Sequence, residues 1–161
     1  MSIKVGERIP DGTLKLMGKD GPTNASAGEL LGKGRVVLFS VPGAFTPTCN
    51  AKHLPGFIQN AAALRAEGVK KIVCLAVNDV FVMSAWGKAA GVGDSIIMAA
   101  DGNGDYSRAL GLELDARAHG MGMRGKRFAI VIEDGVVKQV HVEAPGEFKV
   151  SSAEHVLAEL S

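Results

Sequence analysis

The sequence predicts an α/β fold: a three-layer sandwich with a central mixed β-sheet flanked by helices. Three observations carry this prediction. Short apolar, β-branched runs alternate with helical segments along most of the chain. The runs at Arg35–Ser40 and Lys71–Val77 lack polar alternation, as expected of strands covered on both faces. A hairpin and a final helix then close the chain.

The elements follow in order. Residues 1–34 are rich in Gly and turn formers. Ile9-Pro10-Asp11-Gly12 is a turn signal, Thr13-Leu14-Lys15-Leu16 alternates as a short strand does, and Ala27 to Leu31 suits one helical turn. Gly32-Lys33-Gly34 leads into the strand at 35–41. A helix is predicted from Pro47 to about Glu67, with Leu54, Phe57, Ile58, Ala61, Ala62 and Leu64 on its apolar face. Pro55-Gly56 predicts a kink in it, and Gly68 a stop. After the strand at 71–77, Asn78-Asp79 can cap a helix from Val80 to Ala90, which Gly91-Val92-Gly93 ends. Ile96 to Ala99 is a short strand, Tyr106 to Leu110 a short helix, and Phe128 to Ile132 a fourth strand. Asp134-Gly135 is a hairpin turn into Val136–Val142. Ser151-Ser152-Ala153-Glu154 resembles a capping box opening a last helix to Leu160.

Composition narrows the function. The chain has 161 residues, 47% hydrophobic and 22% charged, with a net charge of +1. That balance suits one globular domain and gives no reason to expect nucleic acid or an anionic membrane as partner. No apolar run approaches the roughly 20 residues of a membrane span. The first residues, Met1 to Glu7, lack the apolar stretch of a secretory signal and include an acid, so a cytoplasmic location is expected. Two cysteines, Cys49 and Cys74, make a structural disulfide framework unexpected.

The stretch Val41-Pro42-Gly43-Ala44-Phe45-Thr46-Pro47-Thr48-Cys49 carries the chemistry. It joins an apolar strand to a helix. Thr46 as N-cap and Pro47 as first helical residue would put Cys49 in the first helical turn. Backbone N–H groups and the helix dipole there favour a thiolate, the reactive form of cysteine. A lone cysteine is often only a small buried hydrophobe, and this placement is more specific than that.

Pro42, Thr46 and Cys49 are spaced Pro-x-x-x-Thr-x-x-Cys, which resembles the active-site signature of the peroxiredoxins. The run Val41–Cys49, followed by His53-Leu54-Pro55-Gly56-Phe57 and Val77-Asn78-Asp79, resembles the type II, or peroxiredoxin-5-like, branch. The likeness extends from Val5-Gly6 to Ser151-Ser152-Ala153. It implies one thioredoxin-like domain over residues 1–161 and a thiol peroxidase with no metal or organic cofactor. Cys49 would attack hydrogen peroxide or a small alkyl hydroperoxide and become a sulfenic acid. Thr46 would hold thiolate and peroxide, Pro42 would shield the sulfur, and N–H groups from Ala44 to Cys49 would supply positive potential. Matching Lys126-Arg127-Phe128 to the family pattern puts the arginine beside the sulfur at Arg127, with Arg124 as second choice. Gly43, Ala44, Phe45, Thr48 and His53 would form the substrate pocket. The expected reductant is an outside thiol, glutathione with glutaredoxin, or thioredoxin, because no cysteine follows Cys74. The branch also implies a homodimer through loops flanking the cysteine. Phe45 and Phe81 are the apolar groups suited to that contact, and Trp86 is assigned to the core.

Other candidates carry less. Cys74, mid-strand in an apolar run, reads as a buried structural cysteine, with a resolving partner for Cys49 as the alternative. Asp101-x-Asn103-x-Asp105 starts like a calcium loop but has Tyr106 where glycine is needed and Leu112 where Glu is needed, so it reads as a turn. Gly91-Val92-Gly93 is a weak phosphate-loop signal. His53, His119, His141 and His155 show no metal-ligand spacing. Met121 and Met123 read as loop packing. Two rival functions remain. A disulfide reductase on the same fold would need a second cysteine near Cys49. A redox-sensing or holdase-like module using Cys49 as a switch would react once instead of turning over.

Overall fold

The computed structural model describes residues 1–161, and a seven-stranded sheet runs through its middle. β1 (Thr13–Gly18) and β2 (Gly21–Ser26) form the first hairpin. Ser26 caps α1 (Ala27–Leu31): its hydroxyl accepts from Glu29 N, and the Glu29 carboxylate reaches back to Ser26 N. β3 (Arg35–Ser40) leads through a loop and a π-helical turn at Cys49–His53 into α2 (Leu54–Ala66). β4 (Val69–Ala76), α3 (Val80–Ala90), β5 (Ile97–Ala100) and α4 (Asp105–Ala109) come next. β6 (Glu113–Asp115) and β7 (Met123–Gly125) pair as a separate two-stranded ribbon. β8 (Phe128–Glu133) and β9 (Val136–Val142) form the closing hairpin, followed by α5 (Ala153–Leu160).

The sheet order is β2-β1-β5-β4-β3-β8-β9. β3, β4 and β5 are parallel, and the outer strands run antiparallel, so the sheet is mixed, as expected. Successive residues of β3 divide between two cores because strand side chains alternate in face. Val37 and Phe39 pack with Phe57, Leu64, Met83, Trp86 and Val156 from α2, α3 and α5. Val36 and Leu38 pack with Leu30 and Leu31 of α1 and Tyr106 of α4. Phe39 and Phe57 stack with centroids 4.0 Å apart and planes 8° apart. Such a pair contributes about 1 kcal/mol beyond its area burial and pins α2 to the sheet behind the cysteine.

Asp79 caps α3 with its carboxylate on Val82 N, as its position suggested. Asp134 (φ 48°) and Gly135 (φ 81°) are both left-handed, the conformation a tight hairpin turn needs. Asp101 holds the turn that opens α4. Its buried carboxylate accepts from Tyr106 N, Ser107 N and the Ser107 hydroxyl, so it caps α4.

Several expectations are corrected. β2 was not anticipated: its sequence, GPTNAS, has no apolar alternation, and it forms as the half-exposed edge partner of β1. β6 and β7 were too short to signal themselves. The last helix is capped by Ser152, whose hydroxyl accepts from His155 N, and no capping box forms from Ser151. Ser151 is occupied elsewhere, by Glu143. The predicted irregularity at Pro55-Gly56 falls earlier, in the π-helical turn. There Leu54 N bonds the Cys49 carbonyl, and the widened turn accommodates a proline that has no N–H for the preceding turn.

Candidate active site

The site is built where β3 runs out. Val41 still pairs with β4 through Leu75 O, and Pro42 then turns the chain away. Asn78, just after β4, accepts from Ala44 N at 2.9 Å and holds the loop from the neighbouring strand end. Phe45 follows at φ 63°, a left-handed conformation unfavourable for a bulky residue. It turns the ring outward, 49% exposed, with its centroid 6.3 Å from that of Trp86. Gly43 sits in a tight place: a Cβ there would lie 3.1 Å from Thr46 Cγ2, 3.2 Å from Arg124 Nη1 and 3.3 Å from Met121 Cε. The helix starts at Pro47, and Asn50 N reaches the Thr46 carbonyl at 2.8 Å.

Cys49 is fully buried at the head of the π-helical turn. Its Sγ accepts a hydrogen bond from Arg127 Nη2 at 3.0 Å. The other arm of the guanidinium, Nη1, lies 2.9 Å from His53 Nδ1. His53 Nε2 lies 2.9 Å from the Ser151 carbonyl. A carbonyl can only accept, so Nε2 carries the proton, and Nδ1 is left as the acceptor for Arg127. His53 is enclosed by the rings of Phe39, Phe57 and Phe148. Burial, reinforced by the Arg127 charge, pulls its pKa down to about 3, so the imidazole is neutral at physiological pH. Arg127 also lies over the Phe148 ring, 5.9 Å from the centroid.

Ser151 is held in turn by Glu143. One carboxylate oxygen accepts from Lys149 N, Val150 N, Ser151 N and the Ser151 hydroxyl at 2.7–2.8 Å. Burial alone would raise the Glu143 pKa, but these donors outweigh it and hold the carboxyl below its ordinary value. A cleft of about 500 Å³ opens over the arginine, lined by Pro42, Thr48, Lys126, Arg127, Ala144 and Pro145 among others.

The structure places the expected residues unevenly. Pro42, Thr48 and Arg127 line the cleft, and Cys49 lies behind them in contact with Arg127. Gly43, Ala44, Phe45 and His53 do not line it. His53 is fully buried behind the arginine, so it is not a pocket wall. Thr46 does not cap the helix with its side chain or donate to the sulfur. Its hydroxyl proton goes to the Gly43 carbonyl at 2.7 Å, which leaves the oxygen lone pairs as its free capacity. The Ala44 and Thr46 N–H groups are likewise taken, by Asn78 and the Gly43 carbonyl. Arg124 spends its donors on the Met121 and Pro42 carbonyls and braces the loop. Cys74, fully buried on β4, faces the same core as Cys49. Burial first, and Cys49 second, push its thiol pKa well up. Glu143 and Asn50 escaped the sequence reading. Asn50 accepts from Trp86 Nε1 at 2.9 Å and ties the π-helical turn to α3.

Comparison with known proteins bears on this geometry. The redoxin family model matches residues 4–157. The chain is 47% identical to peroxiredoxin-2B of Arabidopsis thaliana over 159 residues, covering 98% of both proteins. The chain belongs to the type II peroxiredoxins. This peroxiredoxin is also 46% identical to peroxiredoxin-2E, chloroplastic, of the same plant, with 99% of the chain covering 70% of that relative. Its structure superposes on reduced Prx3 of Vibrio vulnificus, solved in complex with hydrogen peroxide, with a TM-score of 0.94. The identity is 48%, and 99% of each chain is covered. The fold is therefore thioredoxin-like, and this peroxiredoxin is a thiol-dependent peroxidase working through a cysteine sulfenic acid.

Proposed function

We propose that Cys49 is the sulfur that attacks peroxide, with Arg127, Thr46 and Pro42 forming its surroundings in a single domain spanning 1–161. The observation that carries this is the 3.0 Å bond from Arg127 Nη2 to Sγ at the base of the cleft. A thiolate lone pair forms an S–O bond to the distal oxygen as the O–O bond breaks. The electron pair goes to the leaving oxygen, which takes a proton and departs as water or alcohol. Arg127 places fixed positive charge where that negative charge moves. The Thr46 oxygen, its proton committed to Gly43, can accept from the peroxide O–H. Pro42 screens the sulfur from bulk water. No step calls for a metal or organic cofactor.

Regeneration is assigned to an outside thiol, glutathione with glutaredoxin, or thioredoxin. Cys74 is the sole other cysteine, and burial disfavours its thiolate. The hydrogen peroxide complex of the Vibrio vulnificus relative supports that peroxide as substrate, and small alkyl hydroperoxides share its O–O bond. A cytoplasmic location is the reading for this chain, although a relative's name places that protein in the chloroplast. Steady-state peroxide consumption with each reductant supplied separately tests the assignment. Multiple turnovers with one of them are expected, and a single turnover per chain with all of them would favour the sensor reading.

The working unit is proposed to be a homodimer joined beside the active-site loop. Phe45 and Phe81 are 49% and 64% exposed, whereas Trp86 is fully buried. A two-fold contact is self-complementary, so one charge placed in the patch meets the same patch on the partner. Phe81→Asp is expected to shift sedimentation equilibrium toward monomer. A parent that stays monomeric at high micromolar concentration would rule this assembly out.

A further inference from the structure

The arginine has a support of its own. The guanidinium is a planar fork, and its orientation is set by whatever its other arm holds. Here Nη1 is held by His53 Nδ1 at 2.9 Å while Nη2 meets Cys49 Sγ at 3.0 Å. His53 cannot turn, because Nε2 is fixed 2.9 Å from the Ser151 carbonyl and the ring is packed among Phe39, Phe57 and Phe148. Ser151 cannot drift either, since both its N–H and its hydroxyl bind the Glu143 carboxylate. The chain Glu143–Ser151–His53–Arg127–Cys49 thus runs from the loop after β9 to the sulfur, each link a direct hydrogen bond.

We propose that His53 is a positioning residue for the peroxidase reaction: its neutral imidazole, anchored on the Ser151 carbonyl, fixes the Arg127 fork against the Cys49 sulfur. The charged groups acting on it are Arg127, which disfavours a second cation, and the more distant Glu143, which favours one. A protonated Nδ1 could not accept from Arg127, so the link requires the uncharged ring. His53 has this role only if Cys49 and Arg127 have theirs, as proposed above.

The test compares His53→Phe and His53→Gln with the parent. Phenylalanine keeps the ring volume and removes both polar atoms. Glutamine keeps one acceptor and one donor on its terminal amide. The second-order rate constant for hydrogen peroxide, per folded molecule, is expected to fall roughly tenfold to a hundredfold in His53→Phe, as for other misplaced reacting groups. His53→Gln is expected to recover most of that loss. A purely structural role would lower stability and leave the rate per folded molecule unchanged in both variants, which would overturn the proposal. In the parent, nitrogen NMR is expected to show the Nε2–H tautomer with no titration near the ordinary value of 6.5. An Nδ1–H tautomer, or a titration near that value, would overturn it even if neither variant folds. Cys49→Ser and Arg127→Ala serve as controls. Full activity in them would remove the site assignment itself, whereas their failure beside parent-like His53 variants would remove only the role of His53.

Discussion

Replacing Cys49 by serine is expected to abolish peroxide turnover while leaving the fold intact. A hydroxyl is not ionised near neutral pH, so no nucleophile remains. Its oxygen is smaller than sulfur but can still accept from Arg127, so a stability loss of about 1 kcal/mol is expected, too little to unfold the domain. Circular dichroism and steady-state peroxide assays separate the two effects. Cys74→Ser is the counterpart. A hydroxyl in that apolar core costs about 1–3 kcal/mol if it finds no partner. Substantial turnover should nevertheless survive when glutathione and glutaredoxin are supplied. A folded but inactive Cys74 variant in that assay would defeat the assignment of an outside reductant.

Loss of the Arg127 side chain should have the second largest effect. Arg127→Ala removes the donor on Cys49 and the partner of His53 Nδ1 in one step. Removal of one preorganised donor to developing charge lowers rates by about 10²–10³, and a comparable fall in the peroxide rate constant is expected here. Arg127→Lys should rescue little, because one ammonium cannot span sulfur and imidazole as the fork does. A parent-like rate constant in Arg127→Ala would shift attention to Arg124.

Much of this architecture could be read from the chain. Arg35–Ser40 and the run ending at Ala76 are so apolar that only a doubly covered strand suits them, and Asp134-Gly135 allows little besides a hairpin. The strand–loop–helix setting of Cys49 followed from the same local signals, and the choice of Arg127 came from resemblance. The features that escaped depend on closure between distant segments. Thr46 has a cap residue's chemistry, but its hydroxyl turns back to donate to the Gly43 carbonyl, a contact set by the fold of the loop. His53 reads from the sequence as part of the substrate pocket. The π-helical turn and the approach of Ser151 buried it instead. Glu143, beside Ala144-Pro145-Gly146, reads as a solvated turn residue until the loop folds back and presents it with N–H groups. β2 lacked periodicity altogether and exists because β1 offers it an edge.

The bond between Trp86 and Asn50 gives the protein an optical readout of its own. The chain has a single tryptophan. Its indole N–H is fastened to the residue that follows Cys49, inside the π-helical turn. Indole emission depends on what that N–H touches and on the polarity around the ring. A change in the turn that follows sulfur oxidation, and its reversal on reduction, would reach the fluorophore through one hydrogen bond. The redox cycle could then be followed as light in rapid mixing, in unlabelled protein, with no dye to block the cleft.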